Sequence, residues 1–252
     1  MALQEEFEEQ GNWLFRYRSF LPIIILLIAI ILHLRKELYP GTFILEDSPY
    51  EVYYERLCLL ISLFGLSIRI YAVGHTPAKT SGRNTKEQLA DQLNTSGIYS
   101  LVRHPLYVGI FFIWLGLAMM TGNFWFVIIF ILTYWIYYER IMFAEEQFLR
   151  KKFGQAYDEW AAKTPAFIPS LSSKKFTRPI LPFSWKKVLR KEKNGLAAIF
   201  LIFALFNISG EMMERDREFD NTILVLCILT LFTYVILKYL KTYTKVLSEE
   251  GR

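Results

Sequence analysis

Apolar residues in this chain come in near-continuous runs, with polar ones gathered between them. The runs are Leu21–Leu34, Leu57–Val73, Leu106–Met120, Phe124–Tyr138, Leu196–Ile208 and Thr222–Leu237. A surface helix of a soluble domain would return polar residues with a helical period, and these runs do not. A helix that crosses a bilayer needs about 20 mostly apolar residues, and flanking aromatic side chains extend a short run. Trp13, Phe15 and Tyr39 do this for the first run. The pattern predicts an all-α, polytopic integral membrane protein with about six transmembrane helices.

Charge supplies the orientation. With both termini cytoplasmic, the segments 1–20, 74–104, 144–195 and 238–252 hold 22 of the 29 Lys and Arg residues, and the opposite loops hold 5. That asymmetry is the positive-inside pattern. The net charge of +5 is therefore mainly a topology signal. No basic, aromatic-bearing soluble face exists for nucleic acid. The first run follows an acidic segment (Glu5, Glu6, Glu8, Glu9) and precedes no small-residue cleavage site, so it reads as an anchor helix. Cys58 and Cys227 lie inside apolar runs, which excludes a disulfide framework and a cysteine zinc site. Three scattered histidines, at 33, 75 and 104, give no expectation of a metal centre.

Four parts follow: an anchor helix and loop (1–56), a core (57–170), a basic interfacial linker (171–195) and a carboxyl-terminal helical hairpin with its tail (196–252). Thr85-Lys86-Glu87-Gln88 fits a capping box, predicting a short helix from Lys86 to Leu93. Pro105 suits the first turn of a helix. Gly109 and Gly116, seven apart, share a face and admit a close neighbour. The fourth run continues as helix through Glu139 and Arg140 to Glu145-Glu146, and a polar helix spans Gln155 to Lys163. The linker, with Lys174, Lys175, Arg178, Lys186, Lys187, Arg190, Lys191 and Lys193, is expected to lie on anionic lipid headgroups.

Chemistry concentrates where the polar loop becomes the third apolar run: Gly97-Ile98-Tyr99, then Arg103-His104-Pro105-Leu106-Tyr107-Val108-Gly109. Titratable groups at the mouth of a membrane bundle are costly, so they mark a site. Glu145-Glu146-x-x-Leu149, Phe153-Gly154-x-x-Tyr157 and Pro165-x-x-Ile168-Pro169 follow in order. This set, over roughly residues 57–170, resembles the isoprenylcysteine carboxyl methyltransferase family and its phospholipid N-methyltransferase relatives. The resemblance implies an integral-membrane enzyme that binds S-adenosylmethionine at the cytoplasmic helix ends and takes a lipid or lipidated acceptor from the bilayer. It implies that Tyr99, His104, Pro105, Leu106 and Tyr107 line the cofactor, with Glu145 on its ribose or amino group. Asn84, with Gln88 as rival, would supply an amide.

The residue chemistry agrees. A sulfonium donor is already activated, so positioning and desolvation suffice, and Tyr99 and Tyr107 offer it electron-rich faces. Arg103 and the opening of the helix at Pro105 suit a carboxylate. Eukaryotic members of the family place an acceptor-contacting Arg four residues before the glutamate pair, where this chain has Ile141. Arg140, five before Glu145, is offset by about 140° on a regular helix and needs a π-bulge to share its face. Glu139, Arg140 and Glu146 are the candidate catalytic residues, the two glutamates as bases for an acceptor that must lose a proton. Arg69 is expected to be paired inside the bundle, with Glu139 or the cofactor as the candidate partner. Rival readings are an NADPH-dependent sterol-reductase-like enzyme, disfavoured by Leu106 and Ile110, and a non-catalytic membrane scaffold. Compact size and short loops favour a bacterial inner membrane.

Overall fold

The structure, a computed structural model, describes residues 2–39, 50–78, 80, 88, 90–170, 175–212 and 220–251. It contains α1 (Leu3–Arg16), α2 (Phe20–Leu38), α3 (Glu51–His75), α4 (Pro105–Met119), α5 (Phe124–Phe153), α6 (Gln155–Ala161), α7 (Trp185–Glu211) and α8 (Asn221–Tyr243), with a 3₁₀ turn at Ile98–Ser100. Among the described residues there is no strand, only a lone bridge between Gly97 and Thr177. The all-helical architecture is the one that the apolar runs predict.

Among the described residues four helices, α3, α5, α7 and α8, are long and apolar enough to cross a membrane, where the apolar runs predict about six. α4 stops after 15 residues, about 22 Å, where Thr121, Gly122 and Asn123 turn the chain. α2 carries Arg35, Lys36 and Glu37 at its end. Asn123 caps α5, its side chain accepting from the Phe126 N–H at 2.9 Å.

Glycines set the α3–α4 contact. A Cβ on Gly65 would lie 2.4 Å from the Gly109 carbonyl oxygen, and one on Gly116 2.2 Å from Ser62 Oγ. The two backbones touch, as the spacing of Gly109 and Gly116 predicts, and Ser62 Oγ donates across the seam to the Ile113 carbonyl at 2.9 Å.

α5 runs 30 residues, about 45 Å, so it outreaches a hydrocarbon core of about 30 Å. Its protruding half carries α1, a helix where the sequence reading saw only an acidic flank. A Cβ on Gly11 of α1 would meet the Arg140 carbonyl oxygen at 2.1 Å. Phe7 packs edge-on against Phe143 at 5.9 Å, and the Tyr137 hydroxyl donates to the Leu14 carbonyl at 3.2 Å.

The basic linker is also corrected. From Trp185 onward it is α7, capped by the Ser184 hydroxyl, and part of its charge is buried in the bundle. Lys187 is buried and donates to the Thr76 carbonyl at 2.5 Å, to Thr76 Oγ1 at 2.9 Å and to the Pro77 carbonyl at 3.0 Å. Lys193 and Glu192 are buried as well. Residues 90–93, where a helix was expected, are not helical; residues 85–87 and 89 of that prediction lie outside the described residues. The polar helix after Gly154 is present as α6, with Gly154 at φ +55°.

The bundle has two unlike polar ends. One gathers the 97–105 segment, the end of α3, the start of α7 and the carboxyl-terminal tail, whose Gly251 carbonyl accepts from the Ala78 N–H at 2.9 Å. At the other, Lys36 pairs with Glu51 at 2.5 Å and Glu37 at 3.2 Å.

Candidate functional site

The Gly97–His104 segment is stitched to the chain that follows α5. Gly97, at φ +61°, donates its N–H to the Thr177 carbonyl at 2.9 Å. The N–H groups of Arg103 and His104 reach the carbonyls of Pro165 and Ala166 at 2.9 and 3.1 Å. Trp160 Nε1 donates to the Tyr99 carbonyl at 3.1 Å. These bonds fix the backbone just before α4, and Pro105 opens that helix at its first position. His104 occupies the capping position, but its side chain caps nothing.

The imidazole turns toward α5 instead. Nε2 lies 2.9 Å from Glu146 Oε1 and Nδ1 lies 3.6 Å from Glu145 Oε2. The ring stacks on Tyr107 at 5.7 Å and 24°. Tyr107 in turn meets Tyr138 at 5.1 Å, and its carbonyl accepts from the Tyr134 hydroxyl at 2.6 Å. Arg103 sits beside Glu146, Nε to Oε1 at 2.9 Å, and Nη1 donates to the Ala161 carbonyl at 2.9 Å. Burial alone would lower the His104 pKa; the two adjacent carboxylates, Glu145 and Glu146, outweigh it and raise it to about 8. Burial, then the charge of Glu145, pushes the Tyr99 hydroxyl above its ordinary value, so it remains a neutral donor.

These residues enclose a cavity of about 250 Å³. Tyr99, Arg103, His104, Pro105, Leu106, Tyr107 and Glu145 all line it, as does Gln88. The other expected residues are elsewhere. Glu146 stands behind His104 and is not part of the lining. Glu139 is half exposed and pairs only loosely with Arg140, at 3.5 Å. The Arg140 guanidinium lies over the Phe7 ring, 3.4 Å from its centroid, on the side covered by α1. No π-bulge interrupts α5, so the five-residue spacing keeps Arg140 off the Glu145 face. Asn84 lies outside the described residues.

Three polar atoms of lining residues are buried without a hydrogen-bond partner: Arg103 Nε, which keeps only an ion-pair contact with Glu146, and two acceptors, Glu145 Oε2 and Gln88 Oε1. A buried acceptor left unpaired costs about 1–3 kcal/mol, more when charged. Both are suited to a ligand rich in donors, such as an ammonium or a ribose. With the tyrosine faces beside them, this donor and acceptor set fits S-adenosylmethionine.

Sequence reasoning missed part of the wall. Phe15 and Arg18, at the α1–α2 junction, line the cavity, and so do Lys191 and Glu192 of α7. Arg69 is paired in the bundle, as expected, but its partner is Glu192: Nε and Nη2 donate to the two carboxylate oxygens at 2.9 Å each. One signal was available. Glu192 is the sole acidic residue between Lys174 and Gly195.

Comparison with known proteins finds methyltransferases among the relatives. Residues 57–156 match the family described as phospholipid methyltransferase. A protein-S-isoprenylcysteine O-methyltransferase of Schizosaccharomyces pombe is 45% identical over 78 residues, 31% of this chain and 33% of that protein. Protein-S-isoprenylcysteine O-methyltransferase B of Arabidopsis thaliana is 34% identical over 119 residues, 43% of this chain and 59% of its own length. A cobalt-zinc-cadmium resistance protein of Cupriavidus metallidurans is 36% identical over 116 residues, 45% of this chain and 51% of that protein. The chain thus spans between a third and three-fifths of these relatives. No solved structure matches significantly.

Proposed function

We propose that this chain, whose residues 57–156 match the family described as phospholipid methyltransferase, transfers a methyl group from S-adenosylmethionine to a lipophilic acceptor. The observation that carries the reading is the orphaned Glu145 Oε2, set among Tyr99, His104 and Tyr107 in one cavity. Glu145 would hold the ribose hydroxyls or the ammonium, and Tyr99 and Tyr107 would face the sulfonium. Arg103 would meet the methionine carboxylate. Gln88, whose Oε1 is likewise orphaned, takes the amide role considered for Asn84. When bound, this cofactor supplies an activated methyl on a cationic sulfur. The chain's own part is to orient both reactants and keep water out.

The acceptor is a lipid or lipidated molecule that offers a carboxylate, amine or hydroxyl. We infer a bacterial inner membrane from the compact size and short loops, with the cavity facing the cytoplasm, an orientation that the Lys and Arg asymmetry supports. Exposed Lys175, Arg178 and Lys186 beside exposed Ile180 and Trp185 support contact with anionic headgroups.

Calorimetry on the detergent-purified chain tests the reading, with S-adenosylmethionine and NADPH titrated separately. S-adenosylmethionine is expected to bind, with a loss of about 10- to 100-fold in Glu145→Gln, the range of a charged hydrogen bond. Binding of NADPH alone would turn the reading to a reductase, and binding of neither to a scaffold.

A further inference from the structure

Glu146 is the carboxylate that the function above leaves without a task. It entered as a candidate base, yet it lies outside the cavity lining, and two cavity residues hold it: His104 Nε2 and Arg103 Nε, each at 2.9 Å. A base must reach the proton it removes. Glu146 reaches only the back of His104.

We propose that Glu146 is a positioning residue, which grips Nε2 of His104 and so turns Nδ1 toward the orphaned oxygen of Glu145 at the cavity wall. The proposal rests on the reading that this cavity takes S-adenosylmethionine. An imidazole has two nitrogens on opposite edges, and anchoring one fixes where the other points. With Nε2 on Glu146, the ring plane is set by stacking on Tyr107, and Nδ1 faces Glu145 Oε2 at 3.6 Å. A closure of about 0.7 Å brings that pair to hydrogen-bond distance. His104 would then take one lone pair of Glu145 Oε2 and leave its second, with Oε1, to the ligand. His104 itself is nearly fully buried, so a misplaced ring cannot be rescued by water.

The neighbours define what the ring senses. Glu145 and Glu146 of α5 act on it directly. Arg103 and the Tyr157 hydroxyl of α6 act on Glu146, and Arg18 and Tyr107 act on Glu145. Removing the Glu146 charge takes away one of the two carboxylates that keep His104 protonated, while a glutamine keeps the volume and one acceptor oxygen.

The test uses the full chain in detergent with ¹⁵N-labelled histidine. The chain has three histidines, and a His104→Gln sample assigns the ring signals of His104. Wild type is expected to titrate near pH 8. Glu146→Gln is expected to lower that midpoint by about one unit or more and to weaken S-adenosylmethionine binding at pH 7.5 about tenfold. Glu146→Leu extends the series, and thermal melts check that each variant is folded. An unchanged His104 midpoint overturns the proposal. So does a variant that binds S-adenosylmethionine as tightly as wild type but cannot turn over, which is the pattern of a base. Failure of wild type to bind S-adenosylmethionine at any pH would instead sink the functional reading, while the ring titration still decides whether Glu146 holds His104.

Discussion

The two ends of this bundle bury charge for opposite purposes. At the end away from the cavity, Lys36 lies between Glu37 and Glu51, and His33 Nε2 sits 2.9 Å from the Phe206 carbonyl. The Asp220 N–H donates to Asn207 Oδ1 at 3.2 Å. Here one ammonium serves two carboxylates, and His33 Nδ1, buried without a hydrogen-bond partner, lies 3.6 Å from Glu37 Oε1 inside the same cluster. At the other end, His104 lies between two carboxylates as Lys36 does, but one of them, Glu145, keeps an oxygen that the protein leaves unpaired on a cavity wall. The lesson is that buried charge in a membrane bundle does not by itself mark a site. What sets the second end apart is that its unpaired carboxylate oxygen belongs to a residue that lines a cavity.

That contrast predicts which substitutions cost stability and which cost binding. The largest effect is expected at the Lys36 end. Lys36→Met strands Glu37 and Glu51, and breaking a buried pair costs about 3–5 kcal/mol. A thermal or denaturant unfolding series should show this loss, while S-adenosylmethionine affinity of the folded fraction stays at the wild-type level. Glu145→Gln should show the opposite balance: binding falls about 10- to 100-fold, and stability falls less than in Lys36→Met because His104 keeps Glu146 as a partner. A swap of these two outcomes would dissolve the distinction between the ends.

A pH series sharpens it. His104 is raised from an ordinary 6.5 to about 8, so the folded state holds its proton more tightly than the unfolded chain. Its contribution is fully present below about pH 6.5 and is lost as pH rises through about 8. Stability and cofactor affinity should both decline across that interval, and His104→Gln should flatten the decline in each. The smallest effect is expected at Arg140→Met. It removes a cation–π contact with Phe7 worth about 0.5–1 kcal/mol and leaves binding unaltered. A tenfold loss of affinity there would restore Arg140 to the site.

Much of this was legible in the sequence, because apolar length and local geometry are local properties. The apolar runs foretold the helices of the bundle. The close-set Tyr99 to Tyr107 stretch was expected to line one site, and it lines one cavity. What stayed hidden depends on partners distant in sequence. α1 is rich in Glu and Gln and makes sense as a helix only once α5 offers Phe143 and the Arg140 carbonyl to pack on. Lys187 read as a solvated charge because its acceptors, the carbonyls of Thr76 and Pro77, arrive through tertiary contact. The offset of Arg140 from Glu145 was legible in the five-residue spacing; what the sequence left open was whether a π-bulge would cancel it, and α5 has none.

Gly11 carries a consequence of its own. Nothing larger than hydrogen fits between α1 and the Arg140 carbonyl, and α1 leads straight to Phe15 and Arg18 in the cavity wall. Any side chain at position 11 pries that wall outward from one turn away. A saturation screen scored on activity would therefore rank Gly11 among the binding residues, although it touches no ligand and carries no functional group.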